Sequence, residues 1–442
     1  MSKSIVLIER VDQIDLLKGC IDENTVVVSL HPSVFLELNK RKIPCQNTLH
    51  LFGIEGHRTV QEKTNEIIEG LRPLLSNMKV ENIKHAFEKT WVFYFRFHLL
   101  YLLSIGYIIH QAVLKNKADK LIIINEDSLI DSAFEKKYCL SEIVKEYGAL
   151  NNIEVGYTKK RLNSRIKKPN FIFFKKLFSR IIFEFQLIIF KSKFKKKGFI
   201  LALEDTYSMP DFLNDAGQSI DQFFPVYLRV KSSKVRLKEM MKGESFCFLF
   251  LPSAAKSNTS ANLQNKLEIC ILKINSYFNK NPELLKISGL NLSTFLIDYI
   301  KNTLNIKMHS LCGELVSLKR VLDIAKPSKV FSQHCLGLGY ILGEVSLELG
   351  IPALLISHGS HVPNANPIAQ YEWSIHSHTI INSHYPFVSV QTPWAEKFLK
   401  MQDNLTSIPI NTGPLLTINK KKKEYNKLKL REKIFGKLIF IL

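Results

Sequence analysis

The sequence is short of acid. Its 442 residues carry 40 Asp and Glu against 61 Lys and Arg, a formal net charge of +21. A surplus of that size favours an anionic partner. Cysteine is also sparse. The seven residues are scattered, with no C-x-x-C pair. That pattern argues against a disulfide framework or a structural zinc site and suits a reducing compartment. No secretory leader is expected either: MSKSIVLIERVDQID becomes charged after four apolar residues, too few for the apolar core of a signal peptide. There is no Walker A motif, no G-x-S-x-G elbow and no H-E-x-x-H. P-loop, serine-hydrolase and zincin chemistry therefore have no support. His376 and His378 could share a strand face, but no cysteine lies nearby, and no metal is expected.

What is present is globular. The hydrophobic fraction is 46% and the aromatic fraction 10%, and the length allows two or more domains. Residues 330–359 organise the rest. A β-branched run ends in Gln333 and His334, and three glycines follow, Gly337, Gly339 and Gly343. A helical pattern then stops at Gly350, and Pro352 opens a buried run that ends in Ser357-His358-Gly359. That is strand, turn, helix, strand, a βαβ unit whose parallel strands require the crossover. In open α/β sheets ligands bind beyond the carboxyl ends of the strands, so Gln333, His334, His358, Gly359 and Ser360 are candidate site residues. A histidine there can take a proton from a hydroxyl; it can equally be a hydrogen-bonded residue of a tight turn. The three glycines resemble a phosphate-binding turn, although the last is one residue too far along, and helix–strand packing explains them as well.

Along the chain, residues 1–157 read as a first α/β unit, with strands expected at 5–8, 26–30, 48–52, 121–124 and 153–157. Residues 91–114 are the most apolar run and are long enough to span a bilayer, but they include Arg96, His98, His110 and Gln111. A buried crossover helix is the better reading. Asn125-Glu126-Asp127-Ser128 reads as a helix N-cap with acid in its first turn, or as a carboxylate pair. Residues 158–197 form a linker of different composition: from 159 to 197 fourteen Lys and Arg face only Glu184, with eight phenylalanines interleaved. Such a helix fits an anionic membrane surface; an interdomain helix with solvated lysines is the alternative. No RNA-binding motif accompanies it, so nucleic acid is not expected as a partner.

A second α/β unit spans residues 198–418. Its strands are expected at 199–203, 224–228, 247–251, 388–390 and 407–411, and a mainly helical stretch covers 262–325 with a break at 289–291. Thr392 can cap a helix that Pro393 begins. Residues 419–442 read as a lysine-rich crossover running into KLIFIL.

The second unit resembles bacterial surface-polysaccharide glycosyltransferases of GT-B architecture, and the related teichoic-acid glycerophosphotransferases. The matching pieces are Gly350-Ile351-Pro352, Ser357-His358-Gly359, the TPWAEKFL run from Thr392, and Asn411-Thr412-Gly413-Pro414. The resemblance covers roughly residues 320–442. It implies a Rossmann-like GT-B type fold: α/β, two units with mainly parallel sheets joined by a basic helix. It implies transfer of a sugar from a nucleotide-activated donor to a glycan or lipid-linked acceptor. His358 would be the base or a substrate-orienting residue; Gln333, His334, Gly359, Ser360, Thr392 and Gly413 would contact substrate. No cofactor is implied beyond the nucleotide sugar, which is a co-substrate. The location would be the cytoplasmic face of the membrane, with residues 159–197 on anionic lipid. A polyol-phosphate transferase on the same fold, or a non-catalytic membrane-binding protein, are the alternatives. The donor lobe is expected after Leu442, so these 442 residues are expected not to turn over alone.

Overall fold

The computed structural model describes residues 3–412 except 76–77, 81, 125–128, 132–136, 159–171, 194–197, 204–222, 229–237, 239, 244, 250, 253–257, 357–361, 378–379, 382 and 403–405. The expectations for 125–128 and 419–442 therefore lie outside the described residues.

The fold is α/β and Rossmann-like, with two units each built on a parallel sheet. In the first, β1 (Ser4–Ile8), β2 (Thr25–Ser29), β3 (Gln46–Asn47), β4 (Lys120–Ile123) and β5 (Glu154–Tyr157) pair in the order β3-β2-β1-β4-β5. All four pairings are parallel. The central strand is a continuous buried apolar run from Ile5 to Ile8, as a parallel strand covered on both faces must be.

In the second unit, β6 (Gly198–Leu203), β7 (Phe223–Leu228), β8 (Phe246–Phe248), β9 (Lys329–Ser332), β10 (Ala353–Ile356), β11 (Phe387–Val390) and β12 (Ile408–Asn411) pair in the order β8-β7-β6-β9-β10-β11-β12. These pairings too are all parallel. The organising βαβ unit is β9, the helix Leu338–Glu348 and β10. Each sheet thus begins in the middle, runs to one edge and returns past its first strand, the doubly wound topology.

Two expectations are corrected. Residues 48–52 are not a strand. Asn47 ends β3, and its Oδ1 accepts from the Leu49 amide at 2.9 Å, so the helix Thr48–Leu75 starts there. The apolar Leu49 and Leu51 alternate as a strand would, but they lie in the first turns of this helix, which kinks at Gly53, where φ is 53°. Nor does the second unit hold all of 198–418. Compact packing assigns Pro252–Ser317 and Asn364–His376 to the first unit with Met1–Leu177. The helix Asn258–Lys280 seats Tyr277 where a side chain on Gly70 would stand, 2.0 Å from the Tyr277 hydroxyl. Gly70 is what permits that approach.

The helix Ala86–Asn116 is long and apolar enough to cross a membrane, yet 72% of its most apolar stretch is buried within the protein. Arg96 and His98, its charged and ionisable residues in mid-helix, are buried. Arg96 donates to Gln61 Oε1 at 2.8 Å, and the His98 ring stacks on Tyr299 with centroids 3.8 Å apart. Those are the fittings of a core helix.

The helix Ile172–Lys193 is pinned to the edge of the second sheet. Gln186 Nε2 donates to the Cys247 carbonyl at 2.7 Å, and its Oε1 accepts from the Leu249 amide at 3.3 Å. One amide side chain thereby covers part of the unpaired backbone of edge strand β8. Glu184 forms a two-pronged ion pair with Arg320, at 2.5 and 2.7 Å.

Candidate functional site

Doubly wound sheets offer a crevice where the strand order reverses, at the carboxyl ends of the two diverging strands. In the first unit that point lies between β1 and β4, where Leu7 pairs with Ile123. Just after β1 ends at Ile8 come Glu9 and Arg10. Their backbone amides both donate to Gln13 Oε1, at 2.9 and 3.1 Å, and Gln13 is buried. This fixes the turn and sets where Glu9 points. Arg10 is taken by Asp12 at the surface: its Nε donates to Asp12 Oδ1 at 2.9 Å.

Both carboxyl oxygens of Glu9 are shielded from solvent and have no hydrogen-bond partner among the described residues. Burial of the carboxyl pushes its pKa up to about 8, against a smaller opposing pull from Arg10. Glu9 therefore carries a proton at neutral pH, where an ordinary glutamate is ionised. Tyr101, from the core helix, also titrates above its ordinary range, first through burial and then through the Glu9 charge. Perturbed carboxyls at such positions are the usual raw material of acid–base chemistry. Sequence reasoning missed Glu9. The signal was an apolar strand that runs straight into a glutamate.

In the second unit the reversal lies between β6 and β9, where Ala202 pairs with Phe331. Gln333 and His334 follow at the end of β9, so the structure places both at this point. Ser332 Oγ donates to the His334 carbonyl at 2.7 Å and accepts from its amide at 3.3 Å, closing a tight turn. Gln333 is buried. The three glycines are explained by packing. Gly337 enters the helix at φ 58°. A Cβ on Gly339 would stand 2.1 Å from the His334 carbonyl oxygen, and one on Gly343 would stand 2.6 Å from the Tyr385 ring. The Tyr385 hydroxyl donates to the Gly339 carbonyl at 2.6 Å. Gly339→Ala is therefore expected to cost about 1–3 kcal/mol of stability. A urea midpoint equal to that of the parent would contradict this packing role.

Thr392 caps the helix Pro393–Lys400, its Oγ1 accepting from the Ala395 amide at 3.1 Å. It follows β11, two strands from β9 in the sheet, or about 10 Å across the ladder. Ser389 and Thr412 share a hydrogen bond of 2.7 Å where β11 and β12 end. The described part of β10 ends at Ile356, so His358, Gly359 and Ser360 lie outside the described residues, as does Gly413. Of the sequence-derived candidates, Gln333 and His334 stand together at the reversal point, and Thr392 stands apart from them.

No family model matches the chain, and no curated protein shows significant sequence similarity to it. Fold and site define its class: a protein of two Rossmann-like units, each with polar groups at its strand-order reversal.

Proposed function

We propose that the protein is a glycosyltransferase of surface-polysaccharide synthesis, moving a sugar from a nucleotide-activated donor to a hydroxyl of a glycan or lipid-linked acceptor. The observation that carries this reading is the pair of doubly wound sheets. A transferase with two large substrates needs two such ligand-binding edges, and holding both reactants supplies much of its rate. From sequence the donor lobe was expected beyond Leu442; we assign the donor instead to the first unit. Glu9 suits that role because a neutral carboxyl accepts a phosphate nearby, whereas an ionised one repels it.

In the reaction, the acceptor oxygen forms a bond to the anomeric carbon of the donor, and the bond from that carbon to the phosphate oxygen breaks. His358 takes the proton of the acceptor hydroxyl, and the phosphate leaves with the bonding electron pair. Gln333 and His334 bind the acceptor. The resemblance at residues 350–359, 392–399 and 411–414 supports the acceptor role of the second unit, and with it a location at the cytoplasmic face of the membrane.

Two measurements test it. His358→Ala should lower kcat by about a hundredfold or more while leaving the fold intact; an unchanged kcat removes His358 from the mechanism. Donor affinity, measured by calorimetry, should fall as the pH passes the Glu9 value of about 8, and Glu9→Gln should hold its affinity through that range. Loss of affinity at the same pH in both proteins would exclude Glu9 from the donor site.

A further inference from the structure

The basic helix Ile172–Lys193 has two apolar faces, and among the described residues only one of them is covered. Phe183, Leu187 and Phe190 are buried with Gln186 against the second sheet. Leu177, Phe178, Ile181, Phe185 and Ile188 are 49–67% exposed. Their spacing of three and four residues puts them in one stripe on the side away from the sheet. Exposed Arg180 and Lys191 flank that stripe on the helical wheel. Glu184, the only acid between 159 and 197, is neutralised by Arg320. Nothing in the helix therefore opposes an anion.

We propose that this stripe is a membrane-docking face: the helix lies flat on an anionic lipid surface, inserting these five side chains while its basic residues meet the headgroups. The charge chooses the occupant. A second copy would bring another net charge of +21 against the first, and like charges resist that approach. A nucleic acid would satisfy the lysines but leave the aliphatic stripe in water. A lipid surface satisfies both the stripe and the lysines. The inference does not depend on the transferase reading, since vesicle binding requires no turnover.

The test is cosedimentation of the full chain with vesicles of phosphatidylglycerol, and with vesicles of phosphatidylcholine. Binding to the anionic vesicles is expected, with at least about tenfold weaker binding after Ile181→Asp or Phe185→Asp. Both positions are exposed, so the thermal midpoint should stay that of the parent, and it must be recorded. Salt should weaken binding without abolishing it, because the inserted side chains are not screened. Three results overturn the proposal: no binding to phosphatidylglycerol, binding indifferent to both substitutions, or a dimer in sedimentation equilibrium that the two substitutions dissolve.

Discussion

Stability to urea should fall as the pH rises from about 5 to about 9, and Glu9→Gln should remove that loss. The folded protein holds the Glu9 proton up to about pH 8, whereas the unfolded chain releases it near the ordinary value of 4.5. Below that ordinary value both states are protonated and the group contributes no pH dependence. Between the two values the folded state binds the extra proton, so each step up in pH favours unfolding. At about 1.4 kcal/mol for each pH unit, the interval comes to about 5 kcal/mol, all of it lost by pH 9. Other groups run the opposite way. Burial lowers His85, His110 and His309 below their ordinary range, which adds stability as the pH rises through about 6.5. Glu184, held low by its hydrogen bond to Arg320, loses its contribution only in acid. The informative quantity is therefore the difference between parent and Glu9→Gln at pH 5, 7 and 9. A constant difference would mean that Glu9 ionises normally in the folded state.

The two faces of the basic helix should respond very differently to truncation. Phe190 sits among Phe199, Phe246 and Phe248, with ring centroids at 5.0, 5.0 and 5.8 Å. Phe190→Ala removes the ring that joins the helix to three strand residues, and should cost about 3–5 kcal/mol. Phe185→Ala, on the exposed stripe, should stay within about 0.5 kcal/mol of the parent. Equal costs at the two positions would mean that the stripe is packed in solution, which removes the basis for membrane docking.

Much of the fold was legible because buried parallel strands leave a plain record. The runs at 5–8, 121–124 and 199–203 are apolar from end to end, and the structure places strands within a residue of each. The βαβ unit was legible for the same reason, helped by Gly350 and Pro352. The strand expected at 48–52 failed because a short apolar run does not reveal its period, and the capping side chain of Asn47 decided for helix. The unit boundary failed for a different reason. Nothing local in 258–280 says that its apolar face answers the Thr48–Leu75 helix; that depends on Tyr277 meeting a glycine more than two hundred residues earlier in the chain. At the site, Gln333 and His334 could be found from the rule that ligands bind where strands end. Glu9 obeys the same rule, but its charge served only to dismiss a signal peptide. What distinguishes it is burial without a hydrogen-bond partner among the described residues, which no residue pattern displays.

Turnover of nucleotide sugars by the purified chain tests the central claim most directly. The protein is incubated with uridine, guanosine and cytidine nucleotide sugars and a lipid-linked saccharide, and both the nucleotide released and the product mass are followed. The account predicts release from one donor class, a product heavier by one sugar residue, and loss of that release in His358→Ala. A product heavier by a polyol phosphate, or no release and no calorimetric binding with any of these donors, would contradict it.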